Sequence, residues 1–117
     1  AGSRDFLTFR EMPWGELYIQ PFTGRVLQRA AFSFGTRLEA FRAACTAMGG
    51  LPLQAGDAGF EFTLLGNYRL RMLLWAGDDE FPPSAQLLYS ANFVDGFAAE
   101  DRVVAGDLLC NEIKANL

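Results

Sequence analysis

Three adjacent carboxylates are the residues of this chain whose types most directly suggest chemistry. Asp78, Asp79 and Glu80 lie in the stretch WAGDDEFPP, between two apolar segments. Oxygen ligands are those that Mg²⁺ and Ca²⁺ prefer, so one hypothesis is a cation-dependent enzyme that uses these carboxylates. Consecutive side chains converge on one ion only in a strongly curved turn, and their spacing does not match the calcium-binding loop of helix–loop–helix proteins.

Two other interpretations of the acidic turn stay open. In the first, the turn contacts a small ligand or a basic segment of a partner protein. In the second it is a solvated turn, in which one aspartate accepts hydrogen bonds from the loop amides. Phe81 would then enter the core, and Pro82-Pro83 would fix the direction in which the chain leaves.

Aromatic residues form a second group of candidates. We expect Trp14, Trp75, Phe81 and Tyr89 to lie near one end of the sheet, where they could stack on a flat ligand or simply belong to the core. Arg10 precedes the turn that contains Trp14, and its guanidinium could pair with the acidic turn. The candidate site residues for a ligand or partner are therefore Trp75, Asp78, Asp79, Glu80, Phe81 and Arg10.

Common catalytic groups are missing from the sequence. The chain contains no histidine, which removes the most frequent general base and the pairings of histidine with serine or cysteine. Cys45 and Cys110 match no metal or redox spacing and fall on apolar helix faces, where thiols are typically buried and unreactive. No catalytic residue, metal or cofactor can be assigned, and we favour a non-catalytic module over an enzyme.

Length and charge limit the remaining classes. We interpret the 117 residues as one domain, with residues 1–5 as a tag or a disordered segment. The net charge is −4 and there is no run of basic residues, which argues against a nucleic-acid partner. No apolar run is long enough to span a membrane, and two cysteines do not form a disulfide scaffold, so we expect a cytoplasmic protein.

Hydrophobic periodicity predicts the helices. Residues 36–48 are predicted to form a helix with a Thr36–Glu39 capping box, and residues 98–117 a terminal helix that packs closely at Gly106. Residues 24–34 repeat at helical spacing and are also assigned to a helix. Residues 16–20, bounded by Gly15 and Pro21, are predicted to form a short edge strand.

The strongest strand signal is a hairpin formed by residues 60–65 and 69–75. A two-residue turn would place two arginines on the phenylalanine face, so we predict a loop of three or five residues. The predicted pairs are Phe60 with Leu74, Phe62 with Met72, and Leu64 with Leu70. Glu61, Thr63, Arg69 and Arg71 would share the opposite face, and residues 85–90 would add the next strand.

Three phrases of the sequence, in order, resemble one protein family. They are FREMPWGELY, LLWAGDDEFPPSAQLLYSAN and the AAED that opens the last helix. They are similar to phrases of the prokaryotic family catalogued as domain of unknown function 3786, with Ser90 where that family has an aspartate. The resemblance implies a bacterial protein near redox or corrinoid metabolism, and it assigns no activity.

Together these patterns predict an α+β domain with an antiparallel sheet of about four strands and two to three helices on one face. The expected core consists of Leu38, Phe41, Phe60, Phe62, Leu64, Leu70, Met72, Leu74, Val103 and Ile113. The expected function is binding of a protein or small molecule through the turn Trp75–Pro83. A scaffold for a homo-oligomer is a further hypothesis.

Overall fold

The computed structural model describes residues 6–64 and 66–117, and the predictions for residues 1–5 and for residue 65 lie outside that range. Five strands form one antiparallel sheet: β1 (Phe6–Thr8), β2 (Leu51–Pro52), β3 (Ala58–Leu64), β4 (Tyr68–Trp75) and β5 (Ser84–Ser90). Their order across the sheet is β1-β5-β4-β3-β2. The helices are α1 (Gly15–Phe22), α2 (Arg29–Phe34), α3 (Leu38–Ala47), α4 (Phe93–Gly96) and α5 (Ala99–Ala115). The α+β class is confirmed.

One face of the sheet forms the core together with the helices. Side chains from β3, β4 and β5 alternate inward and meet buried residues of α2, α3 and α5 in one apolar cluster. Eight of the ten predicted core residues are buried, and the other two, Leu38 and Leu64, pack against the cluster while partly exposed. Across residues 6–64 and 66–117, no helix is long and apolar enough to span a membrane.

The hairpin of β3 and β4 has the predicted faces and a different register. Phe60 pairs with Met72, Phe62 with Leu70, and Leu64 with Tyr68, so the three residues 65–67 connect the strands. The predicted pairs are wrong by two positions, which leaves every side chain on its predicted face because strands repeat every two residues. On the outer face, Arg71 Nε lies 2.8 Å from Glu61 Oε1, and this cross-strand ion pair confirms that the two side chains share that face.

The strand predicted for residues 16–20 is wrong, because these residues belong to α1. The chain from Gly15 to Phe34 is one long helical path, in which a wider π-helical segment, Thr23–Gln28, joins α1 to α2. Pro21 lies within α1, where its ring and missing N–H normally disturb a regular helix. Burial of Phe22, Val26 and Ala30 on one side of this path overrides that local preference.

The capping box predicted at Thr36–Glu39 is also wrong. Helix α3 begins at Leu38 with Arg37 as its N-cap, so Glu39 lies one position too early to bond the cap amide. Its carboxylate instead pairs with Arg42. The helix itself is confirmed, and it ends before Gly49, which has the positive φ of 82° expected after a helix.

Candidate functional site

The acidic turn after β4 is held by its first aspartate. Asp78 Oδ1 accepts hydrogen bonds from the amides of Glu80 and Phe81, each at 2.8 Å. The Asp78 amide donates to the Phe81 carbonyl oxygen, also at 2.8 Å. The bonds from the Phe81 and Glu80 amides lower the pKa of the Asp78 carboxyl below its usual value. Asp78 therefore stabilises the loop amides, as one interpretation of the sequence expected.

Two glycines fix the end of the turn by letting Pro83 approach closely. A Cβ at Gly77 would lie 2.6 Å from Pro83 N, and a Cβ at Gly35 would lie 2.5 Å from Pro83 Cβ. Both distances are shorter than side chains tolerate, so only glycine allows this packing. The turn is thereby attached to the carboxyl end of α2.

Trp75 is held at the other end of the turn. Asp57 Oδ2 accepts a hydrogen bond of 2.7 Å from the Ala76 amide, and the Asp57 amide donates to the Leu74 carbonyl oxygen at 2.8 Å. A Cβ at Gly56 would lie 3.4 Å from Trp75 Cε2, so the indole covers the backbone of that loop. It remains 38% exposed and contributes an aromatic surface at the end of the central strand β4.

An open cleft separates the acidic turn from the start of α3. Its volume is about 610 Å³, and its walls come from residues 35, 36, 38 and 39 on one side and residues 76–79 and 81–83 on the other. The charged residues lining it are Glu39, Asp78 and Asp79, which are all acidic. The contribution of residues 35–39 was missed by sequence analysis, because it depends on how α2 and α3 pack beside β4.

The predicted group of four aromatic residues is not brought together. Tyr89 is fully buried and pairs with Leu70, at the opposite end of β4 from Trp75. Its ring packs against the ring of Phe93, with centroids 5.0 Å apart, so Tyr89 belongs to the core. Trp14 is exposed in the turn before α1. Because β5 runs antiparallel to β4, Tyr89 near the end of β5 lies beside the first half of β4, whereas Trp75 is the last residue of β4.

One interpretation of the turn predicts that Phe81 enters the core, and that prediction is wrong. Its side chain is 66% exposed, because Asp78 and Pro83 hold the backbone in a turn that directs Phe81 away from the sheet. The exposed ring thus lies on the acidic turn itself. Phe81 and the partly exposed indole of Trp75 therefore lie at the same end of the sheet.

Arg10 does not pair with the acidic turn. It follows β1, and its Nε lies 3.9 Å from Glu16 Oε1 at the start of α1, in an exposed ion pair. Such exposed pairs add little to stability. Arg10 is therefore separate from the other candidate site residues, which are Trp75 at the end of β4 and Asp78, Asp79, Glu80 and Phe81 on the turn that follows.

The three carboxylates do not converge on a point. Across residues 6–64 and 66–117, no group of three or more histidine, cysteine, aspartate or glutamate side chains has a spacing suited to a metal ion. Asp78 Oδ1 is already occupied by two backbone amides. The geometry required by the cation-dependent hypothesis is thus not observed at this turn.

The cysteines are buried, as expected. Cys45 and Cys110 are both free thiols with no exposed surface. Burial raises the pKa of the Cys45 thiol to about 12 and that of the Cys110 thiol to about 11. Neither thiol has the lowered pKa and partial exposure of a nucleophile.

A buried arginine was missed by sequence analysis. Arg102 on α5 is only 2% exposed, and burial lowers the pKa of its guanidinium. Its Nη1 donates to the Pro13 carbonyl oxygen at 2.9 Å, and its Nε donates to the Phe97 carbonyl oxygen at 3.2 Å. Tyr89 Oη donates to the Arg102 carbonyl oxygen at 2.7 Å. These partners are backbone carbonyls of the fold, so we interpret Arg102 as structural.

The fold and the turn define a class: a small two-layer α+β domain that displays an ordered acidic turn with exposed aromatic side chains at one end of its sheet. Residues 2–112 match the family described as Domain of unknown function (DUF3786), and the chain belongs to that family. No curated protein and no solved structure gives a significant match to the chain.

Proposed function

We propose that this domain is a non-catalytic binding module that holds a basic segment of a partner protein against the Trp75–Pro83 surface, meaning the exposed side of residues 75–83. The observation that carries the proposal is the exposure of the Phe81 ring on a turn whose backbone is fixed by Asp78. The cleft between this turn and α3 gives a partner side chain a place to enter.

The energetics of the surface favour a partner with apolar groups. Covering a phenylalanine ring that is now in water would contribute roughly 1.5–3 kcal/mol. Trp75 would add a second aromatic contact, and aromatic residues are typical of the sites that dominate binding energy. Because the turn is already ordered by hydrogen bonds and by Pro83, little conformational entropy is lost when a partner binds.

The charges of the surface favour a basic partner. Asp78, Asp79 and Glu80 are all exposed, and the charged residues lining the cleft are acidic. A lysine or arginine in the partner would lie near several carboxylates, and the attraction would increase the association rate most strongly at low salt. The same charges repel a second copy of this surface, since an isologous dimer would bring like charges together.

Selection from a random peptide library against the immobilised domain tests this proposal. We expect enriched peptides to combine a lysine or arginine with an aromatic or aliphatic residue, and to lose binding at raised ionic strength. Phe81→Ala should weaken the enriched peptides at least tenfold, which corresponds to about 1.4 kcal/mol. Asp79→Asn with Glu80→Gln should reduce the salt dependence.

Phe32→Ala is the matched control, because Phe32 is 65% exposed on α2 and lies outside the proposed surface. Peptides that bind equally well to the Phe81→Ala and Phe32→Ala variants would contradict the proposal. Enrichment of acidic peptides would contradict the proposed charge of the partner.

A further inference from the structure

An apolar groove lies at the opposite end of the sheet from the Trp75–Pro83 surface. It has a volume of about 540 Å³ and lies between the end of α3, the last residues of β3 and the middle of α5. Leu70 forms part of its floor, and Leu70 and Trp75 are separated by most of the length of β4. The groove is therefore a separate feature, and its interpretation does not depend on the proposed function.

The groove exists because α3 is shorter than the strands beneath it. Helix α3 ends at Ala47, and the chain turns through Gly49 into β2, which covers only Glu61 and Phe60 of β3. The later residues of β3 extend past that cover toward α5. The side chains that line the groove are mainly apolar, and they include Met48, Leu51, Phe62, Leu64, Leu108 and Leu109.

Two leucines on its rim remain in water. Leu51 and Leu108 are each 60% exposed, and they line the groove from two different elements, β2 and α5. The floor between them is formed by residues that are largely buried, Phe62 and Leu70. A volume within the range of about 300–1,000 Å³, apolar walls and few polar groups are typical of sites for small molecules.

The charged residues lining the groove are both acidic. Glu61 is neutralised on the outer face of the sheet, with its carboxylate 2.8 Å from Arg71 Nε and 3.9 Å from Arg69 Nη1. Glu112 lies one turn beyond Leu108 on α5 and is exposed. Within residues 6–64 and 66–117, its carboxylate makes no ion pair or hydrogen bond. One free negative charge therefore lies at the mouth of an apolar groove.

From this arrangement we infer that the groove binds a small amphiphilic molecule with an apolar body and one cationic group. The apolar body lies against Phe62 and Leu70 between the rim leucines, and the cation lies at Glu112. An anionic amphiphile would meet a like charge there. A second copy of the chain, bound through the same groove, would bring two unpaired Glu112 carboxylates into one apolar interface.

Titration with two matched probes tests the inference. Octyltrimethylammonium and octyl sulfate have the same chain and opposite charges, and both are used below the concentrations at which they form micelles. We expect the cationic probe to bind at least tenfold more tightly and to shift the amide resonances of residues 62–64 and 105–112. Equal affinities, or shifts concentrated at residues 75–83, would overturn the inference.

Surface variants locate the two parts of the site without disturbing the core. Leu108→Ser should weaken both probes at least threefold, because the rim loses apolar surface. Glu112→Gln should weaken only the cationic probe and remove most of the difference between the two. Leu17→Ser is the control, since Leu17 is 70% exposed on α1 and should leave both affinities unchanged.

The same variants address self-association. If sedimentation shows a dimer that Leu108→Ser disrupts, the groove is an interface between copies of this chain and the inference is wrong. If Leu108→Ser leaves the affinity for both probes unchanged, the groove is not where they bind, and the inference also fails.

Discussion

At the scale of single residues, Asp78 links the order of the acidic turn to its protonation state. Its lowered pKa means that the carboxylate form is favoured in the folded turn. The stabilisation is therefore complete above the usual pKa of an aspartate, about 3.9, and is lost as pH falls through the lower value of the folded state. At neutral pH Asp78 is therefore a carboxylate that accepts hydrogen bonds from both amides.

We expect an NMR titration to show the Asp78 carboxyl protonating below the usual aspartate range. The amides of Glu80 and Phe81 should change chemical shift over the same pH interval, because they donate to Asp78 Oδ1. In Asp78→Asn, which keeps an acceptor oxygen, that shared response should disappear. Amides that do not respond to the titration in the unmodified protein would contradict the assigned hydrogen bonds.

Loss of the buried Arg102 side chain should lower the free energy of unfolding. Arg102→Ala would leave a cavity and would remove the donors to the Pro13 and Phe97 carbonyl oxygens. Unsatisfied buried groups cost about 1–3 kcal/mol each, so we expect unfolding in urea to show a loss of roughly 3 kcal/mol or more. Arg37→Ala is the control, because the exposed Arg37 side chain donates to the Ser33 carbonyl oxygen one turn earlier and lies outside the core. Similar losses for the two variants would contradict the structural role of Arg102.

At the scale of secondary-structure elements, α5 packs closely against two neighbours at Gly106. A Cβ at this position would lie 3.0 Å from Leu87 Cδ2 on β5 and 3.0 Å from Val26 Cγ1 in the π-helical segment. The sequence predicts close packing at Gly106, because a glycine in the middle of a helix is otherwise unfavourable. These short distances confirm that prediction. It allows α5 to approach the sheet and the long helical path at the same time.

Substitutions at two helical glycines should have opposite effects. Gly106→Val should destabilise the domain by about 1–3 kcal/mol, because its methyl groups would overlap Leu87 and Val26. Gly24→Ala should stabilise it slightly, by up to about 1 kcal/mol, because no atom of residues 6–64 or 66–117 would lie within 4 Å of a Cβ there and alanine favours helical backbone. Denaturant unfolding of both variants checks the pair. Stabilisation by Gly106→Val would contradict the packing of α5.

The elements that could be predicted from the sequence are those in which apolar residues recur at the period of the element and are the residues that become buried. The faces of β3 and β4 and the apolar stripes of α3 and α5 could be recognised, because each repeats at the period of its own structure. The helix at Gly15–Phe22 could not be recognised by the same signals, since Pro21 lies inside it. The signal that could have found it is the spacing of Phe22, Val26 and Ala30, which continues the stripe assigned to residues 24–34 toward the amino end.

The candidate site was predicted in part. Binding of loop amides by an aspartate is a local effect, and it could be anticipated from the residue types in Trp75–Pro83. The exposure of Phe81 and the separation of Trp75 from Tyr89 could not, because they depend on strand register and on the packing of Pro83 against Gly35. The groove beside α5 depends on the relative lengths of α3 and β3 in three dimensions, and no sequence motif marks it.

At the scale of the whole molecule, one core supports two distant surfaces. Phe41 lies at its centre, with its ring centroid 5.6 Å from that of Phe34 and 5.9 Å from that of Phe60. Phe62 lies at the border of the core, where it also lines the groove. Phe41 therefore connects the helix layer to the sheet, because it packs against Phe34 of α2 and Phe60 of β3. Phe62, by contrast, faces the groove on one side.

Truncation of these two rings should distinguish the centre of the core from its border. Phe41→Ala should destabilise the domain by about 3–5 kcal/mol, because the cavity it leaves is enclosed. Phe62→Ala should cost less, since the space it leaves joins the groove and admits water. Denaturant unfolding gives both values. A larger loss for Phe62→Ala would show that the groove is closed in solution.

The measurement that tests the account most directly is site-specific photo-crosslinking in cells that produce the full-length protein. The photoreactive phenylalanine analogue p-benzoylphenylalanine is placed at Phe81 or, as the control of matched exposure, at Phe32. We expect a discrete crosslinked partner from position 81 that is absent from position 32 and is weakened by Asp79→Asn with Glu80→Gln. The same crosslinks from both positions, or none from position 81, would contradict the assignment of the Trp75–Pro83 surface as a binding site.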